Sequence, residues 1–223
     1  MPGHVRRARQ APSLAGQQGA AAMSKIQRAV LSCYDKTGIV ELAQVLREYD
    51  VEIISTSGTL RELQQAGIEA ISVAEFTGVP EMLDGRVKSL DTKVHAGLLG
   101  IRDDKVHCEQ MQAQGLQWVD MFVGNPRPVH DVIGRPGVKV DEVMAQIDIG
   151  GIAMLRSAAK NFRYVTVASN PEKYPTLIHD LRAHEGEVSF AMRYVLAQEA
   201  FASIAQYDTA LAEFLASHAP EEQ

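Results

Sequence analysis

A chain of 223 residues, 46% apolar and 22% charged, has material for a sizeable core and lacks the composition of a disordered or fibrous protein. Its net charge of −6 argues against broad binding to nucleic acid or an anionic membrane, so any anion site must be local. Cys33 and Cys108, without paired spacing, suggest neither a disulfide framework nor a zinc site, and no apolar run approaches membrane-spanning length; a cytoplasmic setting is expected.

The first 22 residues show no apolar periodicity, and no hydrophobic stretch follows Arg6, Arg7 and Arg9 as it would in a signal peptide. Residues 1–23 are read as a disordered extension or an upstream start ahead of Met23, with a short transit peptide as the weaker alternative. Beyond them, apolar runs alternate with amphipathic segments. Residues 29–33 form a short apolar run of the kind a buried parallel strand needs, and residues 38–49 carry apolar positions at helical period. A second strand over 51–54 ends in Ser55-Thr56-Ser57-Gly58-Thr59, followed by a helix over 60–66. Residues 70–73 suit a third strand, and 75–92 are expected to be mostly loop.

Helices are predicted at 95–99 and 105–114, a strand at 121–123, and an irregular proline-rich run over 125–136. Helices at 140–146 and 152–161 lead to a last strand at 164–168, and helices over 171–184 and 189–217 close the chain. Strands alternating with helices predict an α/β fold, a mostly parallel sheet with helices on both faces in three layers. No repeat or linker divides the body, so one domain over 24–217 with a flexible tail at 218–223 is expected.

Ligands of open parallel sheets bind beyond the carboxyl ends of the strands, where the polar motifs fall. Ser55 to Thr59 precede a helix and could cradle a phosphate, although Ser or Thr there is more often a simple helix cap. Lys36, just past the first strand, could reach the same phosphate or be a solvated loop lysine. Arg86 and Lys88 lie two apart after an Asp-Gly turn signal, so an extended backbone would point both to one side. A compact anion could meet both, one as a planar fork and the other as a point charge, although the spacing alone fits a solvated basic patch better. Asp148 stands ahead of Gly150 and Gly151, which leave room for a flat ligand near the backbone, or it simply caps the next helix. Lys160 then either serves a ligand or favours that helix's C-terminus. Cys33 lacks an evident His-Asp partner and is read as a small strand residue. His95 lacks a second metal ligand at suitable spacing, and Trp118 is read as packing.

Together these motifs resemble one family. Residues 32–38 (Ser-Cys-Tyr-Asp-Lys-Thr-Gly), 85–90 (Gly-Arg-Val-Lys-Ser-Leu), 93–97 (Lys-Val-His-Ala-Gly), 147–151 (Ile-Asp-Ile-Gly-Gly), 156–161 (Arg-Ser-Ala-Ala-Lys-Asn) and the late Tyr207-Asp208 are similar to the inosine monophosphate cyclohydrolase domain of the bifunctional purine biosynthesis protein. The similarity runs from Gln27 to about Leu215. It implies a methylglyoxal-synthase-like fold and closure of 5-formamidoimidazole-4-carboxamide ribonucleotide to inosine monophosphate with loss of water. By the resemblance, Ser32, Lys36, Thr56, Gly58, Thr59, Arg86 and Ser89 bind the nucleotide and its phosphate. Lys88 polarises the formyl oxygen, Asp148 handles the carboxamide proton, and Lys160 assists. Asn125 and the backbone of Ile149, Gly150 and Gly151 hold the base. Neither metal nor organic cofactor is implied, and a homodimer is.

The chain departs from that pattern at several positions. Arg127 stands where the family usually has a tyrosine thought to take part in catalysis, Tyr34 replaces a serine, and Asp91-Thr92 replace His-Pro. Arginine cannot exchange a proton near neutral pH, so Tyr34 is a candidate to supply a phenol instead. No transformylase domain follows within this sequence, so a separate transformylase or a formate-dependent ligase is expected to supply the substrate. Two other readings stand beside the cyclohydrolase: a non-catalytic nucleotide-sensing module on the same fold and, last, methylglyoxal synthase itself.

Overall fold

The computed structural model describes residues 24–218; the expected disordered extension and all but the first residue of the expected tail lie outside them. Its centre is a five-stranded parallel sheet ordered β4-β3-β2-β5-β6, from Ile71–Ser72 (β4), Glu52–Ser55 (β3), Arg28–Cys33 (β2), Met121–Asn125 (β5) and Thr166–Ala168 (β6). The register pairs Arg28 with Glu52 and Leu31 with Ser55 on one side of β2, and Ala29 with Met121 and Cys33 with Asn125 on the other. Ala29, Val30 and Leu31 are completely buried, because helices cover both faces and the strand has no wet side. The expected α/β architecture is therefore the one observed.

Helix α1 (Ile39–Glu48) starts after Gly38 at φ 72° and buries Ile39, Leu42, Ala43, Val45 and Leu46. It packs beside α9 (Tyr174–Ala183) and α2 (Ser57–Gln65). Helix α8 (Gly150–Lys160) lies on β5 and β6, with α4 (Thr92–Leu99) and the 28-residue α10 (Phe190–Ser217) against it. Arg193 fastens α10: completely buried, its guanidinium donates to the carbonyls of Phe162, Arg163 and Val188. Below the sheet, buried Asp120 accepts the N–H groups of Gln27 and Arg28 at 2.8 Å and pairs with Arg102. Among the described residues no helix is long and apolar enough to cross a membrane.

Several local expectations are corrected. The third strand stops at Ser72, whose hydroxyl accepts the N–H of Glu75 and starts α3 (Val73–Thr77) inside the segment read as strand and loop. Helix α2 begins at Ser57 rather than Leu60, so Gly58 and Thr59 lie within it. The last strand starts at Thr166, because the N–H groups of Tyr164 and Val165 turn back to the Asn161 carbonyl. The proline-rich run contains a single helical turn, α6 (His130–Ile133). Ser24–Lys25 (β1) and Glu187–Val188 (β7) form a small antiparallel ladder too short to leave a pattern. The other helices, α5 (Lys105–Ala113) and α7 (Val140–Met144), fall where predicted.

Candidate active site

The strand order reverses direction between β2 and β5, the place where an open parallel sheet leaves a crevice at its carboxyl edge. A cavity of about 570 Å³ opens there. Loops after β2, β3 and β5, a hairpin over 82–87 and the N-terminus of α8 wall it. Of the residues expected to act, Ser32, Thr56, Arg86, Lys88, Ser89, Asn125, Asp148, Ile149, Gly150 and Gly151 line it, with Tyr34 and Arg127. These residues are separated by up to 119 positions in sequence and are brought together by the sheet.

The polar floor is built at the strand ends. The Thr56 hydroxyl donates to the Ser32 hydroxyl at 3.0 Å. The Asn125 amide clasps the β2 loop, accepting the Asp35 N–H at 2.7 Å and donating to the Asp35 carbonyl at 3.0 Å. Its side chain is thus committed to shaping the rim. Cys33 also lines the cavity, but burial pushes its thiol up to about 11, which leaves no thiolate to act as nucleophile at neutral pH.

Arg86 and Lys88 owe their position to a tight turn. Met82 and Val87 exchange backbone hydrogen bonds across it, while Leu83, Asp84 and Gly85 take φ values of 55°, 55° and 81°. Three successive left-handed residues are costly outside glycine, on the order of 1 kcal/mol at each non-glycine position. Val87 is held in the ladder, and Arg86 and Lys88 on either side of it both reach the cavity. The Ser57 hydroxyl, donating to the Glu81 carboxylate, ties the start of α2 to this hairpin.

Asp148 lines the same cavity from the start of α8. Its Oδ1 accepts the Gly151 N–H at 2.8 Å, and its own N–H donates to the Tyr207 phenol oxygen at 3.0 Å. Burial raises its pKa above the ordinary aspartate value; the Gly151 hydrogen bond and the Lys88 charge pull it back down. Lys88 and Asp148 line the same cavity. The glycines that follow serve a purpose not foreseen. A Cβ on Gly150 would lie 2.3 Å from the Ser89 hydroxyl, and one on Gly151 2.3 Å from Asp148 Oδ2. They make room for Ser89 and the carboxylate, not only for a ligand.

Four expected residues are not brought in. Lys36 donates to the Tyr34 carbonyl at 3.3 Å and lies outside the lining. Gly58 faces open space, because α2 starts earlier than expected. Thr59 is buried, its hydroxyl accepting from the Cys33 N–H and donating to the Cys33 carbonyl, so it braces the floor from below. Lys160 is ten residues along α8, about 15 Å at helical rise, in a separate depression with Leu99, Arg156, Ser157 and Phe201. Conversely, Asp84, Met144 and Gln146 line the cavity without having been singled out, and Tyr207 braces Asp148 across 59 residues of sequence. No spacing rule connects such pairs. Among the described residues no cluster of three or more His, Cys, Asp or Glu could hold a metal ion.

Residues 38–153 match the MGS-like domain family, and residues 158–223 match the AICARFT/IMPCHase bienzyme family. The bifunctional purine biosynthesis protein PurH of Magnetococcus marinus is 46% identical over 87% of this chain and 37% of its own length. That of Chloroflexus aurantiacus is 48% identical over 86% of this chain and 37% of its own. The chain therefore spans well under half of these relatives. The crystal structure of ForH superposes over 87% of this chain and 100% of its own, with a TM-score of 0.78 at 33% identity.

Proposed function

The chain belongs to the MGS-like domain family, and from that premise we propose that it is an inosine monophosphate cyclohydrolase. The observation that carries this reading is that Lys88 and Asp148, 60 positions apart, line one cavity together with Arg86 and the hydroxyls of Ser32 and Thr56. The substrate is 5-formamidoimidazole-4-carboxamide ribonucleotide. Arg86, Ser32 and Thr56 take its 5′-phosphate, pairing a guanidinium fork with neutral donors.

Ring closure joins the carboxamide nitrogen to the formyl carbon. Holding both groups of one molecule in contact accounts for much of the acceleration. As the bond forms, negative charge gathers on the formyl oxygen, and the Lys88 ammonium stabilises it. The nitrogen gives up a proton to Asp148, a carboxylate made more basic by burial. The former formyl oxygen takes back the proton held by Asp148 and, as the C–O bond breaks, the proton of the formamido N–H, so it leaves as water and the aromatic ring is complete. The reaction balances without a redox partner or cofactor.

Lys160 takes part only if a second copy carries it across to the cavity, so a homodimer belongs to the proposal, as do a cytoplasmic setting and a separate formylating enzyme that supplies the substrate. Light scattering reports the first of these. The direct test follows inosine monophosphate formation from the formamido nucleotide by absorbance. Lys88→Ala and Asp148→Asn should each lower kcat by about 10²-fold or more while product still binds. Closure at the uncatalysed rate, with nucleotide binding intact, would identify a sensing module instead.

A further inference from the structure

Arg127 is the third cation lining the cavity and has no part in the steps above. It is held from two sides. Its Nη1 donates to the Gln146 side-chain oxygen, and its guanidinium carbon lies 5.3 Å from the centre of the Tyr34 ring. The ion pairs of the described residues do not include it. Its Nε is buried and takes no hydrogen-bond partner, a costly condition for a donor on a charged group. Arg102 also has an unpartnered Nε, but Asp120 neutralises it away from this cavity. The completely buried Arg193, by contrast, gives hydrogen bonds to main-chain carbonyls and serves the fold. Arg127 is preorganised, uncompensated and at the cavity wall.

Resting on the nucleotide reading above, we propose that Arg127, seated on Tyr34 and braced by Gln146, is the specificity-determining residue for the base end of the ligand. It donates to the exocyclic oxygen there: the carboxamide oxygen of the precursor and the ring-carbonyl oxygen of the product. Guanidinium has donors and no acceptor, so it rewards an oxygen at this position and repels an amino group. Stacking on Tyr34 and the Gln146 bond fix the plane of the fork, so little freedom is lost when a ligand arrives. Tyr34 thus acts here as a platform for the cation rather than as a proton carrier.

Calorimetric titration of the full chain with inosine monophosphate and adenosine monophosphate tests this. The two share ribose and phosphate and differ at the exocyclic group. Wild-type protein should prefer the oxo nucleotide by about ten- to a hundred-fold, the worth of a charge-assisted hydrogen bond. Arg127→Met should bring the two affinities within about threefold of each other, by weakening the oxo nucleotide. Gln146→Leu and Tyr34→Leu should each give part of that loss, and thermal melts would establish that the variants fold. Equal wild-type affinities, or a preference that survives Arg127→Met, would overturn the inference while leaving the cyclohydrolase reading intact. If neither nucleotide bound, both the inference and the cyclohydrolase reading would be overturned.

Discussion

Asp148 feels opposing influences: burial raises its pKa, while the Gly151 N–H and the Lys88 ammonium lower it. A general base must be ionised, so the acid limb of kcat/KM is expected above the ordinary aspartate value of 3.8. Stability gives an independent reading. A carboxyl that holds its proton more tightly when folded costs stability as pH rises from the unfolded pKa through the higher folded one. Asp148→Asn keeps an oxygen for the Gly151 N–H and removes the titration. The variant should therefore gain on wild type as pH rises from about 4, as denaturant midpoints at successive pH values would report; a constant difference would contradict the burial argument. That Arg86, Lys88 and Asp148 would meet at the carboxyl edge of the sheet was legible, because each lies in a local motif. The Tyr207 brace was not, since a phenol meeting a backbone N–H across 59 positions leaves no periodicity to read. Nor was the place of Lys160 legible: its residue type fits catalysis, but only helical rise along α8 places it outside the cavity.

The elements nearest the site were read less well than the sheet. Buried strands announce themselves by unbroken apolar runs, as β2 and β5 do, whereas the hairpin over 82–87 also depends on left-handed backbone at Leu83, which no propensity favours, ahead of the Asp84-Gly85 pair that the turn signal does announce. Helix α3 carries a sequence signal, Ser72 with Glu75 three residues later, but it sits at the end of an apolar run that has the pattern of a longer strand. The opening turn of α8 yields a sharp prediction. Gly150→Ala places a methyl 2.3 Å from the Ser89 hydroxyl, which is itself buried. It should cost about 1–3 kcal/mol and displace the segment of Lys88 and Ser89 that follows the hairpin. Adding Ser89→Ala removes that oxygen, leaving the Ser89 Cβ at an ordinary 3.7 Å, so the double variant should regain most of the stability. Gly58→Ala is the control, because its methyl would meet nothing within 4 Å and should gain up to about 1 kcal/mol in helix α2. If Gly150→Ala melted like wild type, the close packing of α8 against Ser89 would not be a structural requirement.

At the scale of the molecule, the cavity exists because one sheet gathers loops from positions 32 to 151, and no stretch of chain contains a site by itself. The core is likewise shared: β2 packs between β3 and β5, and α10 returns from the far end of the sequence to cover α8 and β6. Site and core should then melt together, which tests the expectation of one domain over 24–217. Inosine monophosphate at a hundred times its Kd should add about 2.7 kcal/mol to folding, by mass action on the native state alone. In a chain of this size that raises the midpoint by about 5–10 °C. The unliganded protein should unfold in a single calorimetric transition that moves as a unit with ligand. Arg86→Ala should leave the unliganded midpoint nearly unchanged, since Arg86 is exposed, and should remove most of the ligand-induced rise. Two transitions, only one of them shifting, would mean that the cavity belongs to a separable part of the chain. The cooperative link between sheet and site would then be lost.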